Sequence, residues 1–254
     1  MAPVFDAIAS DFDRFRTPPS GVPEAIRSAI FAATRVASPA RILDLGAGTG
    51  RFGRAFIAAG DRYTGMDASF GMLRQFQALA NGALLAQADG SQLPFPDGAF
   101  DLVLLIHVLS GTSDWRPIVE ESRRVVTAGG AVVVGHTMRP ESGMDGKLKR
   151  QLQSILEEMG IPWQRPAGSR QGALAWLRSH SGRHTHFQVA SWNVSATAQE
   201  FLLRHRSGAR FAALPDHLQE LALQQLTKWA EKNFGSLGAA FDEQHSFELD
   251  VFEF

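Results

Sequence analysis

Three glycines at alternate positions follow a short apolar run. The stretch RILDL (41–45) leads directly into GAGTGRFG, which places Gly46, Gly48 and Gly50 in one tight loop. Glycine has no Cβ and adopts conformations that other residues avoid, so such a loop lets a ligand approach the backbone closely. A phosphate-cradling P-loop also needs a lysine followed by a serine or threonine, and GAGTGRFG lacks this pair.

A second register of the same loop matches the dinucleotide-binding pattern G-x-G-x-x-G. The match holds when it begins at Gly48, whereas from Gly46 the last glycine is replaced by Arg51. Asp44 lies just before the loop, where its carboxylate would repel a pyrophosphate and attract a cation. A cationic ligand without phosphate is therefore favoured, and a nicotinamide cofactor stays open as an alternative.

Polar side chains also follow the later predicted strands. Asp67 comes 21 residues after Gly46, Asp89 follows the third strand, and His107 and His136 end the fourth and fifth. Ligands of open α/β sheets bind at the carboxyl ends of the strands, so these side chains are expected around one site. Each histidine could serve as a general base or as a hydrogen-bonded structural group, and both roles stay open.

Short apolar runs alternate with helical patterns between residues 41 and 136. Strands are predicted at 41–45, 63–66, 83–86, 101–106 and 131–135, and helices at 51–59, 70–80 and 115–126. Buried strands that alternate with helices indicate an α/β fold with a doubly wound, mostly parallel Rossmann-like sheet.

The pattern changes after His136. Helices are predicted at 147–159, 171–178 and 216–234, with a strand-like stretch at 186–194. The end of the chain, SFELDVFEF, alternates apolar and acidic residues and predicts a half-buried antiparallel strand. A helical insertion is thus expected between the fifth strand and the last strands.

These elements suggest a division into three parts. Residues 1–139 are expected to form a ligand-binding core with an N-terminal helical segment, 140–240 a helical substrate cover, and 241–254 the final core strand. Most tryptophans of the insertion are expected in its core, with one or two facing the acceptor pocket. They are Trp163, Trp176, Trp192 and Trp229.

The bulk composition narrows the class of protein. The 254 residues carry a formal net charge of −1 and no cysteine, which argues against nucleic-acid partners and excludes thiolate metal sites. The longest apolar run is too short to span a bilayer, so no membrane partner and a cytoplasmic location are expected. His180, His184 and His186 are interpreted as loop histidines without a nearby carboxylate, and no metal site is expected.

Four segments in order resemble the class I S-adenosylmethionine-dependent methyltransferases, in particular the methyltransferase-11-like group that acts on small molecules. They are ILDLGAGTG, GMDAS, AQADGSQLPFPDGAFDLVLLIHVL and TAGGAVVV. In the last of them Ala128 stands where the family commonly has proline. The resemblance covers roughly residues 5–136, and it is specific because the four motifs occur in the family's order.

The resemblance implies a cofactor, S-adenosyl-L-methionine, that leaves as S-adenosyl-L-homocysteine. It implies that the loop glycines leave room for the methionine and the ribose and that Asp67 accepts hydrogen bonds from the ribose hydroxyls. It also implies that Asp89 and the Gly90 amide bind the edge of the adenine. The cofactor-binding residues expected from it are Arg16, Asp44, Gly46, Ala47, Gly48, Gly50, Asp67, Ala68, Met72, Asp89, Gly90 and Ile106.

The function expected from the resemblance is methyl transfer to a small-molecule acceptor, with His136 and His107 as candidate catalytic residues. Two alternatives remain at this stage. One is a nicotinamide-dependent oxidoreductase that uses the GTGRFG register, and the other is a non-catalytic S-adenosylmethionine-binding regulatory protein. Neither the acceptor nor the oligomeric state follows from the sequence.

Overall fold

A computed structural model describes residues 2–10, 12–109, 112, 114–161, 169–206 and 208–254. The described residues form one seven-stranded sheet in the order β3-β2-β1-β4-β5-β7-β6. The strands are β1 (Arg41–Leu45), β2 (Arg62–Asp67), β3 (Leu84–Gln87), β4 (Phe100–Ile106), β5 (Val126–Met138), β6 (Arg183–Thr197) and β7 (Ala240–Glu253).

Strands β1 to β5 are parallel, and β7 runs antiparallel to both β5 and β6. The expectation of a mostly parallel, Rossmann-like sheet with an antiparallel C-terminal strand is therefore confirmed. The helices are α1 (Ala2–Ile8), α2 (Val22–Ala33), α3 (Gly53–Ala58), α4 (Phe70–Gln77), α5 (Arg116–Val125), α6 (Met144–Glu158), α7 (Ser169–His180), α8 (Ala198–Arg206), α9 (Ala209–Ala212) and α10 (Asp216–Phe234), with a 3-10 turn at Phe12–Phe15.

The sheet buries a hydrophobic core on each face, which explains the apolar runs of its strands. Ile42 of β1 packs with Ile26 and Ile30 of α2 on one face. Leu43, the next residue of β1, packs with α5 and α7 on the other. Because successive side chains of a strand point to opposite faces, a strand covered on both sides must be apolar throughout.

A third core lies among α6, α8, α9 and α10, which we call the cap. Its buried centre includes Leu148, Leu152, Phe201, Phe211 and Leu226, each at most 2% exposed. Burying a side chain of this size contributes about 1.5–3 kcal/mol, so the four helices form a stable unit. The sequence did not predict α8 and α9.

The cap is attached at the carboxyl edge of the parallel strands. Helix α6 follows the end of β5, and α8 follows the end of β6, which runs in the same direction as β5. The pairing of β5 with β7 stops at Met138, whereas β6 and β7 continue as a two-stranded ribbon to Thr197 and Ala240. Within the segment 140–240, α7 and β6 belong to the sheet layers, and the other four helices make the cap.

Strands β5, β6 and β7 are each several residues longer than the sequence predicts. Strand β6 covers 15 residues and contains His184 and His186, which were interpreted as loop histidines although His186 begins the predicted strand-like stretch. The expectation that no carboxylate lies near these two histidines was also wrong. Both lie within 3.2 Å of the buried Asp250 carboxylate of β7. Asp250 is 64 positions from His186 and becomes its neighbour through the pairing of β6 with β7. The residues around His186 therefore could not indicate this carboxylate.

No helix in the described parts of the chain is both long and apolar enough to cross a membrane.

Candidate active site

The glycine loop closes the carboxyl end of β1. Gly46, Gly48 and Gly50 have φ values of +75°, +57° and +80°, in the left-handed region that favours glycine. A Cβ on Gly46 would lie 2.6 Å from Val108, and one on Gly50 would lie 2.2 Å from the Phe76 ring. Gly48 instead faces space with no side chain of the described residues within 4 Å. The loop is therefore tight underneath and open above Gly48.

Asp67 holds the loop from the end of β2. Its Oδ2 accepts a hydrogen bond from the Gly48 amide at 2.9 Å, and Oδ1 accepts from the Ser69 amide at 2.8 Å. Burial raises the pKa of this carboxyl, and the two backbone donors act against that rise. Each oxygen of a carboxylate has a further lone pair, so Asp67 can still accept from two hydroxyl groups.

Asp44 lies beneath the loop and not at its mouth. Its side chain is only 3% exposed, and its Oδ2 accepts a hydrogen bond from the Tyr63 hydroxyl at 2.5 Å. Burial raises its pKa to about 7, and the nearby Asp67 charge adds to the rise. At this depth Asp44 would act on a ligand in the loop through its electrostatic field.

The remaining residues expected at the cofactor surround the same edge of the sheet. Ala68 and Asp89 are exposed, Gly90 is half-buried beside Ile118, and Ile106 ends β4. Met72, at 2% exposure, is closed to solvent. Ala47, within the loop, donates its amide to the Met66 carbonyl.

The N-terminal segment crosses over this edge. Asp6 accepts from the hydroxyl of Ser69 at 2.6 Å and from the Gly71 amide, while Asp13 accepts from the hydroxyl of Thr49 at 2.6 Å. Both loops of the site are thus tied to the first 13 residues of the chain. The segment ends with Arg16, which reaches past the glycine loop toward the cap.

A cavity of about 650 Å³ lies between the carboxyl edge of the sheet and the cap. Val108, which packs against Gly46, is part of its wall, so the cavity begins beside the glycine loop. Helix α6 turns one polar face toward it, with Asp145, Lys149 and Gln153 at helical spacing. Of the described tryptophans, none lines this cavity, and Trp176, Trp192 and Trp229 pack against the three cores. Trp163 is outside the described residues.

Cationic side chains dominate the cavity wall, which the sequence did not predict. The wall includes Arg16 from the N-terminal segment, Arg139 after β5, Lys149 of α6 and Arg204 of α8. Burial lowers the pKa of Arg16 to about 10 and that of Arg204 to about 9, and repulsion between neighbouring arginines adds to both shifts. With a chain net charge of −1, no compositional signal points to this cluster, since three distant segments form it only after folding.

His136 is held by three neighbours, Arg170, Met138 and Glu248. An Nη2 hydrogen of Arg170 is donated to its Nδ1 at 2.9 Å, and its Nε2 lies 3.0 Å from the Met138 sulfur. Burial, and then the Arg170 charge, lower the pKa of His136 to about 4. Because arginine only donates, Nδ1 must be unprotonated and the ring hydrogen is on Nε2. His136 is therefore neutral, and its Nε2, which carries the hydrogen, lies near the Met138 sulfur and 3.6 Å from the Glu248 carboxylate, in the wall of the cavity.

His107 occupies a strained position at the end of β4. Its φ of +62° is unusual for a residue with a side chain, and it turns the ring toward Phe52 and Phe247. The ring lines the cavity, and burial, followed by the charges of Arg51 and Arg139, lowers the pKa of His107 to about 3. With this pKa His107 is also neutral at physiological pH, and its Nε2 lies 3.3 Å from the Thr137 hydroxyl.

The residues present fit a cofactor that has a diol and no phosphate. The open space above Gly48 is a cradle that a Cβ would fill, and the Asp67 carboxylate beside it suits vicinal hydroxyls. Strand β1 ends at Leu45, so Gly46 follows the strand directly, as the register that begins at Gly46 requires. Among the described residues, no group of acidic or histidine side chains has the arrangement of a metal site.

Known proteins resemble this chain in sequence and in fold. A family model described as a methyltransferase domain matches residues 43–134, which contain the glycine loop and Asp67. The demethylmenaquinone methyltransferase of Parafrankia sp. (strain EAN1pec) is 34% identical over 161 residues, which are 55% of this chain and 63% of that protein. The aligned part thus spans less than two thirds of this relative.

A further relative and a solved structure extend the comparison. The demethylmenaquinone methyltransferase of Thermobifida fusca (strain YX) is 32% identical over 170 residues, 64% of this chain and 70% of that protein. The crystal structure of the YcgJ protein from Bacillus subtilis superposes with a TM-score of 0.57 over 91% of this chain and 98% of its own, at 17% identity, which shows the fold. The chain belongs to the class I S-adenosylmethionine-dependent methyltransferases.

Proposed function

We propose that this protein transfers a methyl group from S-adenosyl-L-methionine to a small-molecule acceptor. The observation that carries the proposal is the continuity of two spaces at Val108. On one side of this residue lies the glycine loop with Asp67, and on the other lies the cavity beneath the cap. A cofactor on the loop and an acceptor in the cavity would meet at the carboxyl edge of β1 and β4.

The cofactor side of the site is assigned as follows. Asp67 binds the ribose hydroxyls, since its oxygens keep lone pairs beyond those used by the Gly48 and Ser69 amides. Of the two arginines in the N-terminal segment, Arg14 is exposed and does not line the cavity, whereas Arg16 does. Arg16 is therefore assigned to the methionine carboxylate. The other residues assigned to the cofactor are Asp44, Gly46, Ala47, Gly48, Gly50, Ala68, Met72, Asp89, Gly90 and Ile106.

When bound, the cofactor supplies a methyl group on a positively charged sulfur, which leaves as a neutral thioether. Transfer would break the bond from the methyl carbon to sulfur as a bond to the acceptor atom forms, and the electron pair of the broken bond would stay on sulfur. The chain must align the three atoms and exclude water, which can supply most of the rate enhancement. The cap and the N-terminal segment are the elements that enclose this space.

The histidines are suited to positioning the acceptor and not to removing a proton. A general base works best with a pKa near the working pH. The pKa values of about 4 for His136 and about 3 for His107 are far below it. In addition, the Nδ1 lone pair of His136 is already engaged by Arg170. We propose that His136 donates its Nε2 hydrogen to the acceptor.

The relatives named above are demethylmenaquinone methyltransferases, and a small-molecule acceptor for this chain is in line with those names. The proposal is tested by incubating the protein with S-adenosyl-L-methionine and a panel of small acceptors, and measuring S-adenosyl-L-homocysteine by mass spectrometry. Product formed with the wild type and reduced at least about tenfold in Asp67→Asn supports it. Product at equal rates in both proteins, or none above the acceptor-free control, contradicts it.

A further inference from the structure

Asp250 of β7 is a buried carboxylate that does not line the acceptor cavity. Its side chain is 4% exposed and points to the same face of the sheet as Phe252, which belongs to the core shared with α7. Strand β7 lies between β5 and β6, so Asp250 has Val134 opposite it on one side and His186 on the other. An ionised carboxylate at this depth is stable only when hydrogen-bond donors surround it.

Two histidines of β6 bind one oxygen of this carboxylate. Nε2 of His184 lies 2.9 Å from Oδ1 of Asp250, and Nδ1 of His186 lies 3.2 Å from the same atom. The second ring nitrogen of His184, Nδ1, accepts a hydrogen bond from Nε of Arg178 at 3.3 Å. Because arginine only donates, the ring hydrogen of His184 is on Nε2 and is donated to Asp250. The Oδ1 oxygen is thus anchored to β6.

One arginine of α7 binds the other oxygen. Nη2 of Arg170 lies 3.3 Å from Oδ2 of Asp250, and the same nitrogen donates to Nδ1 of His136 at 2.9 Å. An Nη2 group has two hydrogens, so it can bind both acceptors at once. Among the described residues the guanidinium of Arg170 makes no other hydrogen bond, and its buried Nε has no partner. A single nitrogen therefore links the buried carboxylate to the histidine of the cavity wall.

The carboxylate is the partner that keeps the Arg170 charge at this position. A guanidinium and a carboxylate attract each other as full opposite charges, whereas His136, with a pKa of about 4, offers only a neutral lone pair. The Arg170 side chain is 31% exposed, so without the carboxylate the guanidinium can turn to water. Loss of Asp250 should therefore also release Arg170 from His136.

We propose that Asp250 is a positioning residue of the methyl-transfer site, which through Arg170 holds His136 with its ring hydrogen on Nε2. The proposal rests on the proposed function, because it concerns the histidine that would donate to the methyl acceptor. Asp250 acts through Arg170 and not by contact with the acceptor. It sets which nitrogen of His136 carries the hydrogen, while β6 holds the carboxylate from its other side.

The charges of Arg170 and Asp250 act on His136 in opposite directions. Burial is the main cause of the low pKa of His136, the Arg170 charge lowers this pKa further, and the weaker effect of the Asp250 charge raises it. If Asp250 acted only through its own charge, its removal would lower the pKa of His136. If Asp250 holds Arg170 in place, its removal also releases the larger effect of Arg170, and the pKa rises.

The test is nuclear magnetic resonance of the His136 ring nitrogens in the full chain, without any acceptor. In Asp250→Asn one carboxylate oxygen is replaced by an amide nitrogen, and the two histidine donors favour the remaining oxygen on their own side. The amide nitrogen then faces Arg170, where two donors cannot bind each other. We expect the pKa of His136 to rise, and the Nε2–H form to give way to a mixture of tautomers.

Two further variants control this result. Glu253→Gln removes another carboxylate of β7, which pairs with Arg183 at 2.9 Å, and it should leave His136 unchanged. In Arg170→Gln the charge that Asp250 would hold is already absent. Adding Asp250→Asn to Arg170→Gln should therefore not raise the pKa of His136 any further. Glu248, 3.6 Å from Nε2 of His136, is present in all of these proteins.

The reaction gives a second readout. Asp250→Asn should lower the formation of S-adenosyl-L-homocysteine in the acceptor panel at least about threefold, the effect of one lost hydrogen bond. Its affinity for S-adenosyl-L-homocysteine, measured by calorimetry, should change less than about twofold. Glu253→Gln should keep both the rate and the affinity of the wild type.

Three results with Asp250→Asn would overturn the role of Asp250 and leave methyl transfer standing. These are a pKa of His136 that falls or stays at about 4, an unchanged Nε2–H tautomer, and an unchanged rate of product formation. Failure of the wild type to bind S-adenosyl-L-homocysteine overturns the proposed function instead.

A measurement on the wild type decides the matter if Asp250→Asn does not fold. The Nη2 hydrogens of Arg170 should exchange with water more slowly than those of Arg116, whose side chain is 63% exposed, because both are held by acceptors. Equally fast exchange in the two arginines would show that Asp250 does not hold Arg170.

Discussion

Arg170 of α7 donates a hydrogen bond to Nδ1 of His136 in β5 across 2.9 Å. This contact fixes the tautomer of the histidine and places a positive charge beside it. Burial and then this charge keep the ring neutral, and the contact places its hydrogen on Nε2. The histidine that the sequence offered as a base is thereby held as a donor.

Nuclear magnetic resonance of the imidazole nitrogens tests this arrangement without any acceptor. We expect His136 and His107 to stay neutral from pH 8 down to about pH 5, since their pKa values are about 4 and about 3. His136 should show the Nε2–H tautomer. In Arg170→Gln the pKa of His136 should rise, because a neighbouring positive charge is removed. A transition of His136 near pH 6.5 in the wild type would refute the assignment.

Asp67→Asn should weaken binding of S-adenosyl-L-homocysteine between about tenfold and several-hundredfold. The reason is that a carboxylate bond to a hydroxyl contributes about 1.5–3 kcal/mol. Some stability should also be lost, because Asp67 accepts from two backbone amides. Asp101→Asn is a matched control, since Asp101 binds Arg41 at the amino end of β4. It should lose stability and keep the affinity, and an equal loss of affinity in both variants would argue against the ribose role.

Gly48→Ala should separate ligand binding from folding. Gly48 has a φ of +57°, and Gly60, the control position, has a φ of +84°. An alanine at either position would lose about 1–2 kcal/mol of stability to backbone strain. At neither position would the added Cβ contact a side chain. The two variants should therefore be destabilised equally in urea. Only Gly48→Ala should lose affinity for S-adenosyl-L-homocysteine, by at least about tenfold, since its methyl group enters the ligand's space. Unchanged affinity in Gly48→Ala would mean that the cofactor does not lie above this glycine.

Asp44 should make stability depend on pH in the acid-to-neutral range. In the folded protein burial keeps its proton until about pH 7, whereas an unfolded chain loses it near pH 4. Between these values the folded state binds more protons, so the free energy of unfolding falls as pH rises and levels off above pH 7. The drop is at most about 4 kcal/mol.

Urea unfolding of the wild type and Asp44→Asn at pH 5 and pH 8 measures this effect. The wild type should lose stability relative to the variant between the two pH values, because asparagine does not ionise. Parallel pH dependence of the two proteins would show that Asp44 titrates in its ordinary range.

The glycine loop and the parallel strands could be predicted because their signals are local. Gly46 directly follows five residues of β1, and the apolar character of β1 reflects burial on both of its faces. The long helix α10 was also predicted with its bounds at Asp216–Phe234, since Pro215 precedes it and Gly235, at φ +77°, ends it. Each of these patterns is complete within a few residues.

The cationic wall of the cavity could not be predicted, because its members are far apart in the chain. Arg16, Arg139 and Arg204 come from three segments, and the contact between Arg16 and Arg204 spans 188 positions. Similarly, Asp250 and His186 become neighbours only through the pairing of β6 with β7. Such side chains show no spacing that a single sequence could reveal.

Calorimetry of S-adenosyl-L-homocysteine with the wild-type protein tests the central claim most directly. We expect one molecule to bind per chain with about micromolar affinity, or roughly −8 kcal/mol. The ligand should also raise the melting temperature, since it binds the folded state. No heat of binding at near-millimolar ligand, together with an unchanged melting temperature, would contradict the assignment of this site to S-adenosylmethionine.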